Sequence, residues 1–360
     1  MDKKLINQLV GYAKTNNSFN LVIENTNCSL SKENQSRGKI NLNKKQQNDL
    51  INTFNILSHS LKDELFSNKK IKIKHQKKIY NCNLSVLPAK KENKIVMSLE
   101  ESKLTIKRIA SLGFSRHDLK IIKDALNLKQ GLILIAGNAN SGKTTTYYSL
   151  LNQLNKAHRS FYSLERYPVC SLPYINTLEI NNRQNLYDYL EKLRKIDADV
   201  VGIDHLESQE EIKNAIMQAN NGHLIIATIE SPDAISALHA TLNIGLSPNQ
   251  IAKGLRLIIG QKMMKKTCPY CLKTKNIDNN YLNFVRTKTK NSKLIKRAYF
   301  SPGCSRCNFN GQSNNFPVFE LMKILPDTRV DKNFKPFIYD TIEKANNGLF
   351  SPEEILKSFK

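Results

Sequence analysis

A chain of 360 residues carrying 55 Lys plus Arg against 31 Asp plus Glu, a formal charge of +24, has room for two or three domains with a sizeable core. That charge suits nucleic acid or an anionic membrane surface, yet the basic residues are mostly Lys dispersed in Asn-rich text such as "KENQSRGKINLNKKQQND" (Lys32 to Asp49), which reads as biased composition at least as much as a binding stripe. No apolar run approaches the ~18 residues of a membrane span and "MDKKLINQLVGY" holds no signal-peptide core, so a cytoplasmic protein is expected.

In chain order, residues 1–101 read as a small α+β domain. Its strands are "FNLVIEN" (Phe19 to Asn25), "KIKI" (Lys70 to Ile73), "CNLSVLPA" (Cys82 to Ala89) and "KIVMSL" (Lys94 to Leu99), set around an amphipathic helix near Gln47 to Leu65. Residues 102–115, "SKLTIKRIASLGFS", read as a linker. From 116 to 260 strands alternate with helices, which implies an α/β domain with a mostly parallel sheet. "GLILIAG" (Gly131 to Gly137) is a buried strand, and Tyr147, Leu150, Leu151 and Leu154 recur at helical spacing after it. A strand follows near Ser160 to Glu165, then a helix with Leu186, Leu190 and Leu193 on one face, then the strand "DVVGID" (Asp199 to Asp204). Ser208 with Glu211 forms a capping box for a helix whose inner face is Ile212, Ala215, Ile216 and Ala219. After "HLIIATI" (His223 to Ile229), Ser231 is expected to cap the next helix with Pro232 at its first position. Residues 261–360 form a C-terminal region of cysteine turns and helices, and no internal repeat is present.

Gly137, Asn138, Ala139, Asn140, Ser141, Gly142, Lys143 and Thr144, followed by Thr145, complete a phosphate-binding loop between a buried strand and a helix. The glycines let backbone N–H groups face a β-phosphate, Lys143 reaches the β- and γ-phosphates, and the Thr144 hydroxyl ligates Mg²⁺, so ATP with Mg²⁺ is the expected ligand. Asp204, at the end of an apolar strand, is the candidate second Mg²⁺-organising residue; its alternative is an Asp that merely ends a strand.

Of seven cysteines, Cys268 and Cys271 in "TCPYC" and Cys304 and Cys307 in "GCSRC" form two CxxC turns. Together they suit a closed, tetrahedral Cys₄ shell for structural Zn²⁺, with redox dithiols or unliganded cysteines as the alternative.

With these motifs the chain resembles the ATPases of type II secretion, type IV pilus assembly and competence pilus systems. "SGKTTTYYSLL" looks like that family's phosphate loop and helix. "DADVVGIDHLESQEEIKNAIMQANNGHLIIAT" is similar to D-P-D-V-V-x-V-G-E-I-R-D…G-H-L-V-x-S-T without a gap. "GQKMMKKTCPYC" resembles A-Q-R-L-x-R-x-x-C-P-x-C, "GCSRCNFNGQ…PVFELM" the zinc-knuckle close, and "NLSVLPAKKENKIVMSL" the end of the second N-terminal domain. The likeness runs from about Leu5 to Ile324. It implies a RecA-like P-loop NTPase fold, a homo- or hetero-hexamer, and docking on an inner-membrane platform protein at the inner face of the cell membrane.

Departures concentrate at the chemistry. The family's Gly-Glu becomes Asp204–His205, so a histidine stands where the water-activating glutamate is expected. The E-D-P box becomes "ERYP": Glu165 is kept, Arg166 replaces the Asp and Tyr167 is inserted before Pro168. The histidine of the S-T-L-H box falls at Glu230, and two phosphate-reaching arginines fall at Asn83 and Ser98. A positioned general base contributes ~10²–10⁴ in rate, so hydrolysis by the family's arrangement is expected to be slow or absent. Asp204, Glu165 and His205 remain candidate bases, and a neighbouring subunit is a further source of basic groups. The competing reading is a nucleic-acid-binding zinc protein; against it, the text around the knuckles shows no recognisable nucleic-acid pattern.

Overall fold

The computed structural model describes six strands between residues 20 and 101, and residues 106–359 apart from 156–158, 167, 181–185 and 326–328. Contacts divide the chain into two units, Met1–Thr105 and Ile106–Lys360.

The first unit contains β1 (Asn20–Glu24), β2 (Asn27–Lys32), β3 (Gln35–Asn41), β4 (Ser67–His75), β5 (Lys78–Leu87) and β6 (Lys94–Glu101). They make one antiparallel sheet in the order β3-β2-β1-β6-β5-β4. Asn83 and Ser98, the two positions where arginines were expected, stand directly opposite each other in the β5–β6 register. The expected helix at 47–65 lies outside the described residues.

The second unit opens on α1 (Arg116–Leu126), fixed by a capping box in which Ser115 Oγ accepts from Asp118 N–H (3.1 Å) and the Asp118 carboxylate accepts from Ser115 N–H (3.1 Å). Its sheet is built from β7 (Gly131–Gly137), β8 (Phe161–Glu165), β9 (Asn176–Glu179), β10 (Val200–Leu206), β11 (Leu224–Glu230), β12 (Leu255–Thr267) and β15 (Gln312–Lys323). The order is β15-β12-β7-β11-β10-β8-β9, parallel throughout except for β15. Every residue of β7 is buried, which explains its unbroken apolar text: helices cover both faces of a parallel sheet. The connecting helices are α2 (Lys143–Leu154), α3 (Leu186–Lys195), α4 (Gln209–Asn220), α5 (Ala234–Leu242) and α6 (Pro248–Gly254).

Two local expectations change. Helix α5 is capped by Asp233, whose carboxylate accepts from Ser236 N–H (2.7 Å), so Ser231 and Pro232 precede the helix instead of starting it. An Asp in the cap position holds a full negative charge against the helix N-terminus, a stronger acceptor than the Ser hydroxyl two residues earlier. At α4, Ser208 Oγ accepts from Glu211 N–H (3.2 Å), but the Glu211 carboxylate turns away from its own cap to Glu207 N–H (2.7 Å) and to Arg166.

The C-terminal part adds the β13 (Lys273–Lys275) and β14 (Ala298–Phe300) pair, α7 (Asn279–Thr289), α8 (Phe337–Asn346) and α9 (Pro352–Ser358). It has its own apolar cluster of Met264, Tyr281, Val285, Val318, Phe337 and Phe350. The boundary expected at 260/261 falls inside β12, which serves both parts. Buried Glu320 ties them further, accepting from Ala234 N–H (2.6 Å) at the start of α5 and Phe337 N–H (2.9 Å) at the start of α8. Among the described residues no helix is long and apolar enough to cross a membrane.

Candidate functional site

The phosphate loop runs from the end of β7 to the start of α2. A side chain at Gly137 would stand 2.2 Å from Ser141 Oγ and 2.6 Å from the Gln261 carbonyl, and Gly142 adopts φ +86° with Gln261 Nε2 2.8 Å from where its Cβ would be. Both positions therefore require glycine, one for space and one for backbone conformation. Gln261, on β12 and 3% exposed, staples the loop: its Nε2 donates to Ser141 O (2.7 Å) and its Oε1 accepts from Thr146 Oγ1 (2.6 Å). Lys143 Nζ donates to the carbonyls of Gly137 (2.7 Å) and Asn138 (2.9 Å), so the ammonium lies across the loop mouth. Burial lowers its pKa from the ordinary lysine range, and the Glu230 carboxylate works against that shift. Asn138, Ala139, Asn140 and Thr144 are exposed, Ser141 is buried and Thr145 is half-buried. The first turn of α2 thus opens to solvent with helix-terminal N–H groups, a ready anion site.

Beside the loop, β10 breaks its register with β11 between Ile203 and Leu206, and Asp204 and His205 lie in that irregularity. Such bulges re-aim side chains at sheet ends. Asp204 Oδ2 accepts from Arg166 N–H (2.8 Å) and the Asp204 carbonyl accepts from Thr228 Oγ1. Because the Thr228 hydroxyl spends its proton there, it receives one from His205 Nδ1–H (3.3 Å), which leaves Nε2 as the lone-pair nitrogen of the ring. Burial, and then the nearby Lys143 charge, holds the imidazole below its ordinary pKa, so it is neutral at pH 7.

Arg166, read in the sequence as the loss of an acid, has a defined place. Its Nη1 donates to the His205 carbonyl (2.9 Å), its Nη2 meets Glu211 Oε1 (2.5 Å) and its Nε lies 3.4 Å from Glu207 Oε1. The guanidinium thereby clamps the end of β8 to the bulge of β10 and the start of α4. Glu165, the last residue of β8, is fully buried: Ser163 Oγ donates to Oε1 (2.5 Å) and Tyr148 Oη donates to Oε2. Burial raises its pKa above the usual carboxylate range, and the two hydroxyls only partly offset this. The fold therefore brings Asp204, His205 and Lys143 together, while Glu165 has both oxygens engaged beneath them. Gln261 and Thr228 were missed as site residues although both lie inside segments that match family motifs, "GQKMMKKTCPYC" and "GHLIIAT"; that match was the signal available for them.

The four cysteines converge. The Sγ atoms of Cys268, Cys271, Cys304 and Cys307 lie within 4.8 Å of one another. Cys268 to Cys304 is 3.9 Å and Cys304 to Cys307 is 3.8 Å, far beyond a disulfide bond. A regular tetrahedron with Zn–S bonds of 2.3 Å has edges of about 3.8 Å, so the donor set and spacing fit a closed zinc site.

Comparison with known proteins agrees with this geometry. A type II secretion system ATPase E of Vibrio cholerae is 24% identical over 298 residues, covering 78% of this chain and 58% of that protein. A type IV pilus assembly ATPase PilB of Pseudomonas aeruginosa is 29% identical over 263 residues, covering 71% of this chain and 45% of that protein. The chain thus spans about half the length of the curated relatives it matches. Among solved structures, the ATPase DotB of Legionella pneumophila superposes with a TM-score of 0.69 at 13% identity, covering 99% of this chain and 96% of that one. The pilus retraction motor PilT, solved with bound ADP, gives 0.67 at 14% identity over 98% and 96%. These two establish the fold. The sequence model of the family described as Type II/IV secretion system protein matches residues 33–334, a span that takes in the phosphate loop, Asp204 and all four cysteines, and the chain belongs to that family.

Proposed function

We propose that this chain is an ATP-binding motor subunit of a type II secretion or type IV or competence pilus machine, with hydrolysis slower than an ordinary motor's. One observation carries the nucleotide reading: the loop from Gly137 to Thr144 is held open by Gln261 with Lys143 across its mouth. Thr144 and Asp204 would hold the Mg²⁺ that accompanies the nucleotide and neutralises its β- and γ-phosphate charge. Cys268, Cys271, Cys304 and Cys307 would hold a structural Zn²⁺. Slow turnover follows from the histidine at 205 and from the full burial of Glu165, which holds that carboxylate against Tyr148 and Ser163 and away from solvent. The partners are further copies or a paralogue in a hexamer and an inner-membrane platform protein, met from the cytoplasm. The positive charge that suits the nucleic-acid-binding alternative is dispersed through Asn-rich text and does not favour it over the motor reading.

The test is binding of a fluorescent ATP analogue beside steady-state phosphate release, for the parent and Lys143→Ala. The expected outcome is binding by the parent, weakened at least tenfold by the substitution, with slow release. Equal binding by both proteins sinks the nucleotide reading, and release faster than about 1 s⁻¹, the lower edge of ordinary enzyme turnover, sinks the slow-hydrolysis part.

A further inference from the structure

We propose that Glu230, at the end of β11, is the general base that activates water at this nucleotide site. The inference rests on the nucleotide-binding reading above and adds the residue through which its slow turnover runs.

Three geometric observations converge on this side chain. Strand β11 lies between β7, which leads into the phosphate loop, and β10, which carries Asp204 and His205. Glu230 is in parallel register with Gly137, the first glycine of the loop, and Ser231 N–H donates to the Gly137 carbonyl (3.4 Å). Neighbouring strands are about 4.8 Å apart, so the Glu230 backbone sits beside the loop's first residue. Alternation along a strand puts the side chains of residues 228 and 230 on one face of the sheet. Thr228 contacts His205 and Asp204 on that face, so Glu230 emerges there too, one step nearer the loop mouth.

The remaining carboxylates near the loop have other commitments. Glu165 is buried with both oxygens accepting hydroxyl protons. Glu211 receives Arg166 Nη2–H and Glu207 N–H, and Glu207 lies beside the same guanidinium. Asp204 takes the Arg166 backbone N–H and is the expected metal-side carboxylate. Glu230 is exposed, and among the described residues no hydrogen bond engages its oxygens, although it lies within electrostatic reach of the Lys143 ammonium. A general base needs an uncommitted lone pair, and this carboxylate has one beside the loop's first residue.

The step balances without another reactant. Water oxygen bonds to the γ-phosphorus as one of its protons passes to the Glu230 carboxylate. The bond from that phosphorus to the bridging oxygen breaks with its electron pair on ADP, and the proton on Glu230 then leaves to phosphate or bulk water.

The experiment is single-turnover γ-phosphate release from the full chain with Mg·ATP, beside binding of the fluorescent ATP analogue, for the parent, Glu230→Gln, Glu230→Asp, His205→Gln and Lys143→Ala. Support is a Glu230→Gln protein that binds the analogue within about twofold of the parent but releases phosphate at the Lys143→Ala background, at least about tenfold below the parent, with Glu230→Asp in between. Release by Glu230→Gln within threefold of the parent overturns the proposal while the nucleotide reading stands. Parent release no faster than the Lys143→Ala background does the same, and so does loss of release confined to His205→Gln. Failure of the parent to bind the analogue overturns the nucleotide reading itself, and the proposal with it.

Discussion

The behaviour of the phosphate loop is set by one amide. Gln261 donates to Ser141 O and accepts from Thr146 Oγ1, and its side chain is buried. In Gln261→Leu, a change of similar volume, the Ser141 carbonyl and Thr146 hydroxyl lose their partner at a site water does not reach. A buried polar group left unsatisfied costs about 1–3 kcal/mol, so unfolding in urea should report a loss of about 2 kcal/mol or more. Analogue binding should weaken more than tenfold, because the loop's curl is no longer held from β12. Unchanged stability and affinity would show that the glycines alone shape the loop. This residue also marks what the sequence could reveal: Gly137, Lys143 and Thr144 are legible because their spacing is local, whereas Gln261 meets its partners across 120 and 115 residues. Arg166 is the converse case. Its departure from the family pattern was legible, but its ion pair with Glu211 was not, since that depends on β8 and α4 meeting at the end of β10.

At the scale of elements, strands with unbroken or alternating apolar text, such as β7, β10 and β11, could be read directly. β2 and β3 could not: "NCSLSK" and "QSRGKIN" are polar and carry little hydrophobic periodicity, so only pairing in the sheet defines them. Packing of α8 against β15 introduces a titratable pair that no pattern announces. The Asp340 carboxylate accepts from Lys344 Nζ (2.6 Å) and from Phe319 N–H (2.7 Å), with both side chains about nine-tenths buried. Burial outweighs these donors and pushes the Asp340 pKa up to about 6. An Asp in the unfolded chain titrates near 3.9, so between about pH 4 and pH 6 the folded state keeps a proton that the unfolded state has released. The folded state then binds more protons, and this group's contribution to stability falls as pH rises through that window and levels off above it. The total change is about 2–3 kcal/mol, at 1.36 kcal/mol per pKa unit. Urea midpoints at pH 4.5, 5.5 and 7 should show the parent losing stability relative to Asp340→Asn across this range. Parallel profiles for the two proteins would mean that Lys344 holds the carboxylate ionised at all three values.

Over the whole second unit, strand β12 is the common member of two sites. Gln261 in its middle holds the phosphate loop and Cys268, just past its end, enters the cysteine cluster. Seven residues of extended chain separate them, about 23 Å, which raises the question of whether loss of metal reaches the nucleotide site. The strand's surroundings argue that it does not. From Leu255 to Gly260 β12 pairs with β7 on one side, and from Leu257 to Thr267 it pairs with β15 on the other, with the β15 register slipping only between Lys265 and Thr267. A perturbation that begins at Cys268 therefore meets that irregularity first, and the unbroken register with β15 from Lys265 back to Leu257 holds Gln261 in place. With the zinc proposed above, hydrogen exchange after chelation, or in Cys304→Ser, should quicken at the β13–β14 pair and at the turn holding Cys304 and Cys307. Amides of β7 and β11 should stay protected, with analogue affinity changed less than about threefold, since local unfolding follows cooperative units. Faster exchange in β7, or lost affinity on metal removal, would show that β12 moves as a rigid lever between the two sites. The cysteine cluster would then act on the nucleotide loop directly, beyond bracing the C-terminal helices.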